Sequence, residues 1–141
     1  MNIERTINIC GQDVLMCYCA ATETGYETIS GKSSVIFIPK VIKDAKGQVQ
    51  TVEPNCNMAD CITLAVAGII ASYDRRHQEA PITSEDILYN AAPAEVQNLI
   101  TAILEMRNEW YQVPNMIKKE DGGQDQDGDA AAASDSDNQK N

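Results

Sequence analysis

The chain has 141 residues, 43% of them hydrophobic and 23% charged, a composition that suits one globular domain with a real core and hardly two. Its net charge of −10 is unevenly spread: residues 120–141 carry seven Asp or Glu against one Lys, a net of −6, which leaves −4 for residues 1–119. Neither part has the clustered Lys and Arg that phosphate neutralisation needs, which argues against direct binding of nucleic acid.

From the N-terminus, Ile3, Ile7 and Ile9 share parity, Gly11-Gln12-Asp13 reads as a turn and Val14 to Ala20 as a return strand, so residues 3–20 are expected to form a β-hairpin. A polar, Gly-containing stretch from Thr22 to Ser33 reads as a connection. Val35-Ile36-Phe37-Ile38 and Lys40 to Lys43 then read as extended chain, with Asp44 to Gly47 as a turn and Val49 to Val52 as the return. Pro39 places this second hairpin at an edge or a bulge, because it removes a ladder hydrogen bond.

After Pro54 the apolar period changes from two to about 3.6. Asn57 caps a helix predicted to run to about Arg76, apolar at Met58, Cys61, Ile62, Ala65, Val66, Ile69 and Ile70, with Leu64 and Ala67 adding a second flank. Such breadth implies cover on more than one side. Thr83 and Asp86 make a capping box for a short helix over 84–91. Pro93 starts the next one, at a position where its missing N–H costs nothing. Along that helix, predicted over 93–111, Val96, Leu99, Ile100, Ile103, Leu104, Arg107 and Trp110 fall on one face. Pro114 is read as limiting it. Beyond Lys119 there is no apolar periodicity, and residues 120–141 are expected to be a disordered acidic tail. The predicted fold class is α+β: β-hairpins in a β-rich part over 1–54, then about three helices over 57–117, within a single domain spanning 1–119.

No basic stretch followed by an apolar run opens the chain, so no cleaved secretory signal is read. The longest near-apolar run, residues 59–71, is broken by Asp60 and Thr63 and is too short to cross a bilayer. The expected place is the cytoplasm, where five cysteines, an odd number, are expected as reduced thiols.

Candidate chemistry is sparse. Cys17, Cys19, Cys56 and Cys61 offer four thiols, but without the two-residue knuckle of structural zinc sites, and buried free thiols are the stronger reading. The single histidine, His77, sits beside Arg75 and Arg76 at a helix end, where a cation is favoured by the dipole. Glu85-Asp86 belong to a helix first turn, and Gly25, Gly31 and Gly122-Gly123 build no phosphate-binding loop. The reading is a protein with no catalytic residues, no metal and no cofactor. Trp110, Tyr111, Val113, Met116 and Ile117 are the candidate contact residues for another chain, weighed evenly against a role in closing the domain's own core.

The order of features, with a short β part, a hydrophobic helix ending in AGIIASYDRRHQ, a connector PITSEDILYNAAP and a last helix EVQNLITAILEMRNEWYQVP, resembles the tail assembly chaperones of long-tailed bacteriophages and prophages, over about residues 3–117. The resemblance implies a small protein of the host cytoplasm that self-associates and coats the tape measure protein until tail tube subunits assemble around it. The charge pattern and the shortness of the apolar runs add the expectation of no nucleic-acid and no membrane partner. Two other readings stand beside it. One is a small protein-interaction or regulatory module unrelated to tails. The other is a thiol or metal protein built on Cys17, Cys19, Cys56 and Cys61.

Overall fold

The computed structural model describes residues 1–53 and 55–120, with the side chains of residues 40, 51–53 and 113–120 excepted. The expected acidic tail therefore lies outside the described residues from position 121 onward. The fold is α+β, and the described residues form two separate two-stranded antiparallel sheets and four α-helices. The described residues fall into two units, one over 1–106 and the other beginning at Arg107.

Strands β1 (Ile3–Ile9) and β2 (Gln12–Tyr18) pair from Ile3 opposite Tyr18 to Ile9 opposite Gln12. The turn is one residue earlier than expected. Cys10 and Gly11 both take positive φ, 52° and 77°, the two-residue geometry whose twist matches the strands it joins. On β2, Val14, Met16 and Tyr18 are buried on one face, and Cys17 is buried on the other.

The polar stretch read as a connection is a helix, α1 (Ala20–Ser30). Its local signals are all at its ends. The Thr22 hydroxyl accepts from the Cys19 N–H at 3.2 Å, and Gly31 closes the last turn at φ 71° with its N–H on the Glu27 carbonyl. Its middle is held by packing, because Gly25 lets α1 come close to Ala67: a Cβ at position 25 would lie 3.4 Å from the Ala67 Cβ.

Residues Ser34–Phe37, expected as extended chain, form a 3₁₀ turn instead. The Ser33 hydroxyl accepts from the Val35 N–H at its start. Phe37 is buried edge-on against Tyr26, ring centres 4.9 Å apart, and this one anchor outweighs the strand preference of its neighbours. Strands β3 (Lys40–Lys43) and β4 (Val49–Glu53) form the second hairpin around a turn in which the Asp44 carboxylate accepts from the N–H groups of Lys46 and Gln48.

Helix α2 (Met58–Asp74) is the centre of the first unit, packed against both α1 and β2. Asn57 and Asp60 cap it reciprocally, Asn57 Oδ1 accepting from the Asp60 N–H at 2.9 Å and Asp60 Oδ2 from the Asn57 N–H at 3.1 Å. Asp60 is only 7% exposed and also receives the Tyr26 hydroxyl and the Lys32 ammonium. Burial pushes its carboxyl up, but Lys32, the Asn57 N–H and Tyr26 together outweigh that and hold it below the ordinary value. The helix ends two residues earlier than the predicted Arg76, in a Schellman motif. His77 takes the left-handed position at φ 55°, its N–H on the Asp74 carbonyl and the Gln78 N–H on that of Tyr73.

Helix α3 (Ser84–Asn90) has the capping box read from sequence, with Thr83 Oγ1 accepting from the Asp86 N–H at 3.1 Å and Asp86 Oδ2 from the Thr83 N–H at 3.0 Å. Helix α4 (Pro93–Glu120) starts at Pro93 as expected but runs past Pro114. A proline there removes a single backbone bond, which the turns on either side bridge. Within the first unit its buried stripe is Leu99, Ala102, Ile103 and Met106, with Val96, Ile100 and Leu104 only half-buried at its margin.

A bidentate pair joins β1 to the end of α2. Arg76 donates to both Glu4 oxygens, at 2.8 and 2.9 Å, and the Ser72 hydroxyl donates to the same carboxylate. The Arg76 guanidinium, then the Ser72 hydroxyl, hold the Glu4 carboxyl below its ordinary value of 4.5. Its contribution is therefore complete above that value and is lost as the pH falls through the lowered one. Wild type should exceed Glu4→Gln in urea midpoint at neutral pH, with the gap closing below about pH 4. A gap of constant size across that range would refute the linkage.

Candidate functional site

A concave apolar feature lies on the first unit where α1 and α2 meet. On α1, Ala21, Gly25 and Ile29 recur every four residues and so share one face. On α2, Ala67, Ile70, Ala71 and Asp74 do the same at spacings of three and four. Small side chains at positions 21, 25, 67 and 71 form the floor of a cleft of about 320 Å³, with Ile29 and Ile70 as its apolar walls and Asp74 and Arg75 at one end. A second, overlapping cleft of about 450 Å³ shares Ile29, Ile70 and Asp74, and continues past Val66 to Ile82 and the connector residues Gln78, Glu79 and Ala80.

The two make a groove along α2 into the α2–α3 connection. Its two walls are unusually accessible for isoleucine, Ile29 at 54% and Ile70 at 38% exposure. Apolar side chains left in water beside a concave floor are what an amphipathic helix requires of a docking surface. The charged residues at its ends are Asp74, Glu79 and Arg75, acidic on balance.

The groove was not legible as a site because half of it belongs to α1, which reads as a loop. The usable signal was the four-residue repeat of Ala21, Gly25 and Ile29, terminated by Gly31.

The candidate contact residues lie in the second unit. Tyr111 is 46% exposed and Trp110 half-buried, with their rings edge-on at 4.9 Å. The Arg107 guanidinium lies over the Tyr111 ring, 4.5 Å from its centre, a cation–π contact one turn apart on the helix. Val113, Met116 and Ile117 lie on the backbone of α4, but their side chains are outside the described residues.

The thiols fall into different places. Cys17 is fully buried, and burial pushes it up to about 12. The Cys10 Sγ contacts the Asp86 carbonyl at 3.6 Å, and Cys56 and Cys61 touch each other at 3.7 Å. Among the described residues, no three His, Cys, Asp or Glu side chains are grouped so as to hold a metal ion. His77 is in the Schellman turn of α2, and Glu85 and Asp86 are in the first turn of α3. No helix among the described residues is long and apolar enough to cross a membrane. The chain matches no protein-family profile, no curated protein and no solved structure.

Proposed function

We propose that this protein is a non-enzymatic chaperone whose α1–α2 groove holds an amphipathic helix of a client, and that the client is the tape measure protein of a phage tail. The observation that carries the binding role is the groove itself, with Ile29 and Ile70 exposed above a floor of alanine and glycine. The tail assignment rests on the resemblance of residues 3–117 to tail assembly chaperones. A long helical client must hide its apolar stripe before its final partners arrive, and a groove of this kind can cover about one face of one helix.

Charge selects among helices. The groove's own charges, Asp74, Glu79 and Arg75, are acidic on balance, so it draws a helix whose apolar stripe is flanked by Lys or Arg and repels one flanked by acids. Self-association is assigned to a different surface, the segment carrying Trp110, Tyr111, Val113, Met116 and Ile117.

Co-expression with the tape measure protein tests the proposal. The client should stay soluble and co-purify with the wild type and precipitate with Ile70→Glu, which sets a carboxylate in the groove at a position exposed enough to leave the fold intact. Affinity for a Lys-flanked Leu-rich helical peptide should fall at least about tenfold in that variant, about 1.4 kcal/mol. Equal client solubility with the variant, its circular dichroism unchanged, would overturn the assignment to the groove. Binding of the peptide without any effect on the tape measure protein would leave an interaction module unrelated to tails.

A further inference from the structure

The N-terminus of α2 contains a pair of side chains that the groove does not use. Asn57 is the N-cap, so Cys56 is the residue before the cap and Cys61 the fourth residue of the helix. Those are the two positions of a hydrophobic staple, where a side chain ahead of the cap folds back onto the first turn. Here the staple consists of two thiols, with Sγ atoms 3.7 Å apart. As a contact, any two small apolar side chains would serve. Two thiols alone can also be joined.

We propose that Cys56 and Cys61 are a dithiol site for low-molecular-weight disulfides of the glutathione class, which convert the contact staple at the start of α2 into a covalent one. The two sulfurs would have to approach by about 1.7 Å to reach a bond of about 2.05 Å. Cys56 is partly exposed and Cys61 buried, which sets the order of events.

The Cys56 thiol loses its proton to water, and its thiolate attacks one sulfur of the reagent. The reagent's S–S bond breaks and one thiolate leaves, taking up a proton. Cys61 then gives up its proton and attacks the Cys56 sulfur of the mixed disulfide, expelling the second reagent thiolate, which is protonated in turn. Two electrons pass from the two cysteines to the reagent, and one disulfide with two hydrogens fewer replaces the two thiols.

Burial, and then the Cys56 thiol beside it, push the Cys61 thiol of the reduced pair up to about 12. Burial remains once Cys56 is in the mixed disulfide, so the second step is limited by the small fraction of Cys61 thiolate. It should quicken by about tenfold for each pH unit over the neutral to mildly alkaline range, as the small thiolate fraction grows. The product is neutral, so the same burial that hinders the thiolate does not oppose the bond once made.

The pair is distinguishable from the other thiols. Cys17 and Cys19 are two residues apart where β2 gives way to α1, and Cys17 is fully buried. Cys10 is in the β1–β2 turn, with its sulfur on the Asp86 carbonyl.

Full-length protein treated with oxidised glutathione, trapped with an alkylating agent and mapped by peptide mass spectrometry tests the site. The expected result is a Cys56–Cys61 link, with titratable thiols falling from five to three. A mixed disulfide at Cys56 should precede the link, and Cys61→Ser should stop the reaction at that stage. Stable glutathione adducts in the wild type with no link, or a link between Cys17 and Cys19, would overturn the proposal. Because the readout on the wild type needs no variant to fold and no client to bind, it stands apart from the test of the groove.

Discussion

Gly68→Ala is expected to destabilise the protein by about 3 kcal/mol, although alanine is the better helix former by about 1 kcal/mol. Gly68 is in the middle of α2, where helix propensity alone predicts a gain. Tertiary structure reverses the sign. A Cβ at this position would lie 2.6 Å from the Cys17 carbonyl oxygen, 3.1 Å from the Met16 Cγ and 3.3 Å from the Ile103 Cδ1. The nearest of these is backbone, and it cannot swing aside. Cys17 is paired with Glu4 across the hairpin, and its carbonyl already accepts the Thr22 hydroxyl at 3.0 Å. Relief requires α2 and β2 to move apart, with loss of the packing between them. Gly25→Ala makes the contrast, since its Cβ would meet only Ala67 at 3.4 Å, and a change of about 1 kcal/mol or less is expected. Urea unfolding of the two variants measures both. A Gly68→Ala midpoint at or above that of the wild type would disprove the close approach of α2 to β2.

Ile103→Ala should remove about 3 to 4 kcal/mol, and Leu104→Ala, one residue along the same helix, about 1 kcal/mol. Ile103 is fully buried and faces Gly68, whereas Leu104 is half-buried at the margin of the stripe. The cost of truncation combines the transfer of the lost methyl groups with the void they leave, and only the first position is enclosed enough to leave one. The denaturation slope should stay the same in both, so that the midpoints alone carry the difference. Equal losses at the two positions would place the core on a different face of α4.

That pair of residues also marks how far the apolar pattern of the chain predicts the fold. Spacing placed Leu99 and Ile103 together correctly, but it could not fix the rotation of α4, and it gave Val96, Ile100 and Leu104 the same weight. Ala102 and Met106 complete the buried stripe, and neither stands out in the pattern, alanine because it is small and methionine because it fills irregular gaps. Where capping chemistry was present, starts were readable to the residue: Asn57, Thr83 and Pro93 open α2, α3 and α4. Ends were less so. His77 stops α2 in a conformation that glycine usually supplies, and Pro114 does not stop α4. Helix α1 was missed for a different reason, since Thr, Glu and Gly fill its middle and its helicity comes from lying against α2. Half the groove is hidden with α1, whereas the aromatic residues at Trp110 and Tyr111 are conspicuous in the sequence.

The contacts of β2 bear on the behaviour of the N-terminal hairpin in a crowded cell. A two-stranded ribbon has an outer edge on each strand, and an uncovered edge recruits further strands. On β2, the Leu15 N–H donates to the Tyr73 hydroxyl at 3.2 Å, and the Cys17 carbonyl accepts from Thr22. Both groups point away from β1, and both are occupied by side chains from the helices. Two of the outward groups on this edge are thus taken by hydroxyls, which leaves an incoming strand fewer partners, so a chain whose proposed work is to keep another protein from aggregating has partly guarded this border of its own.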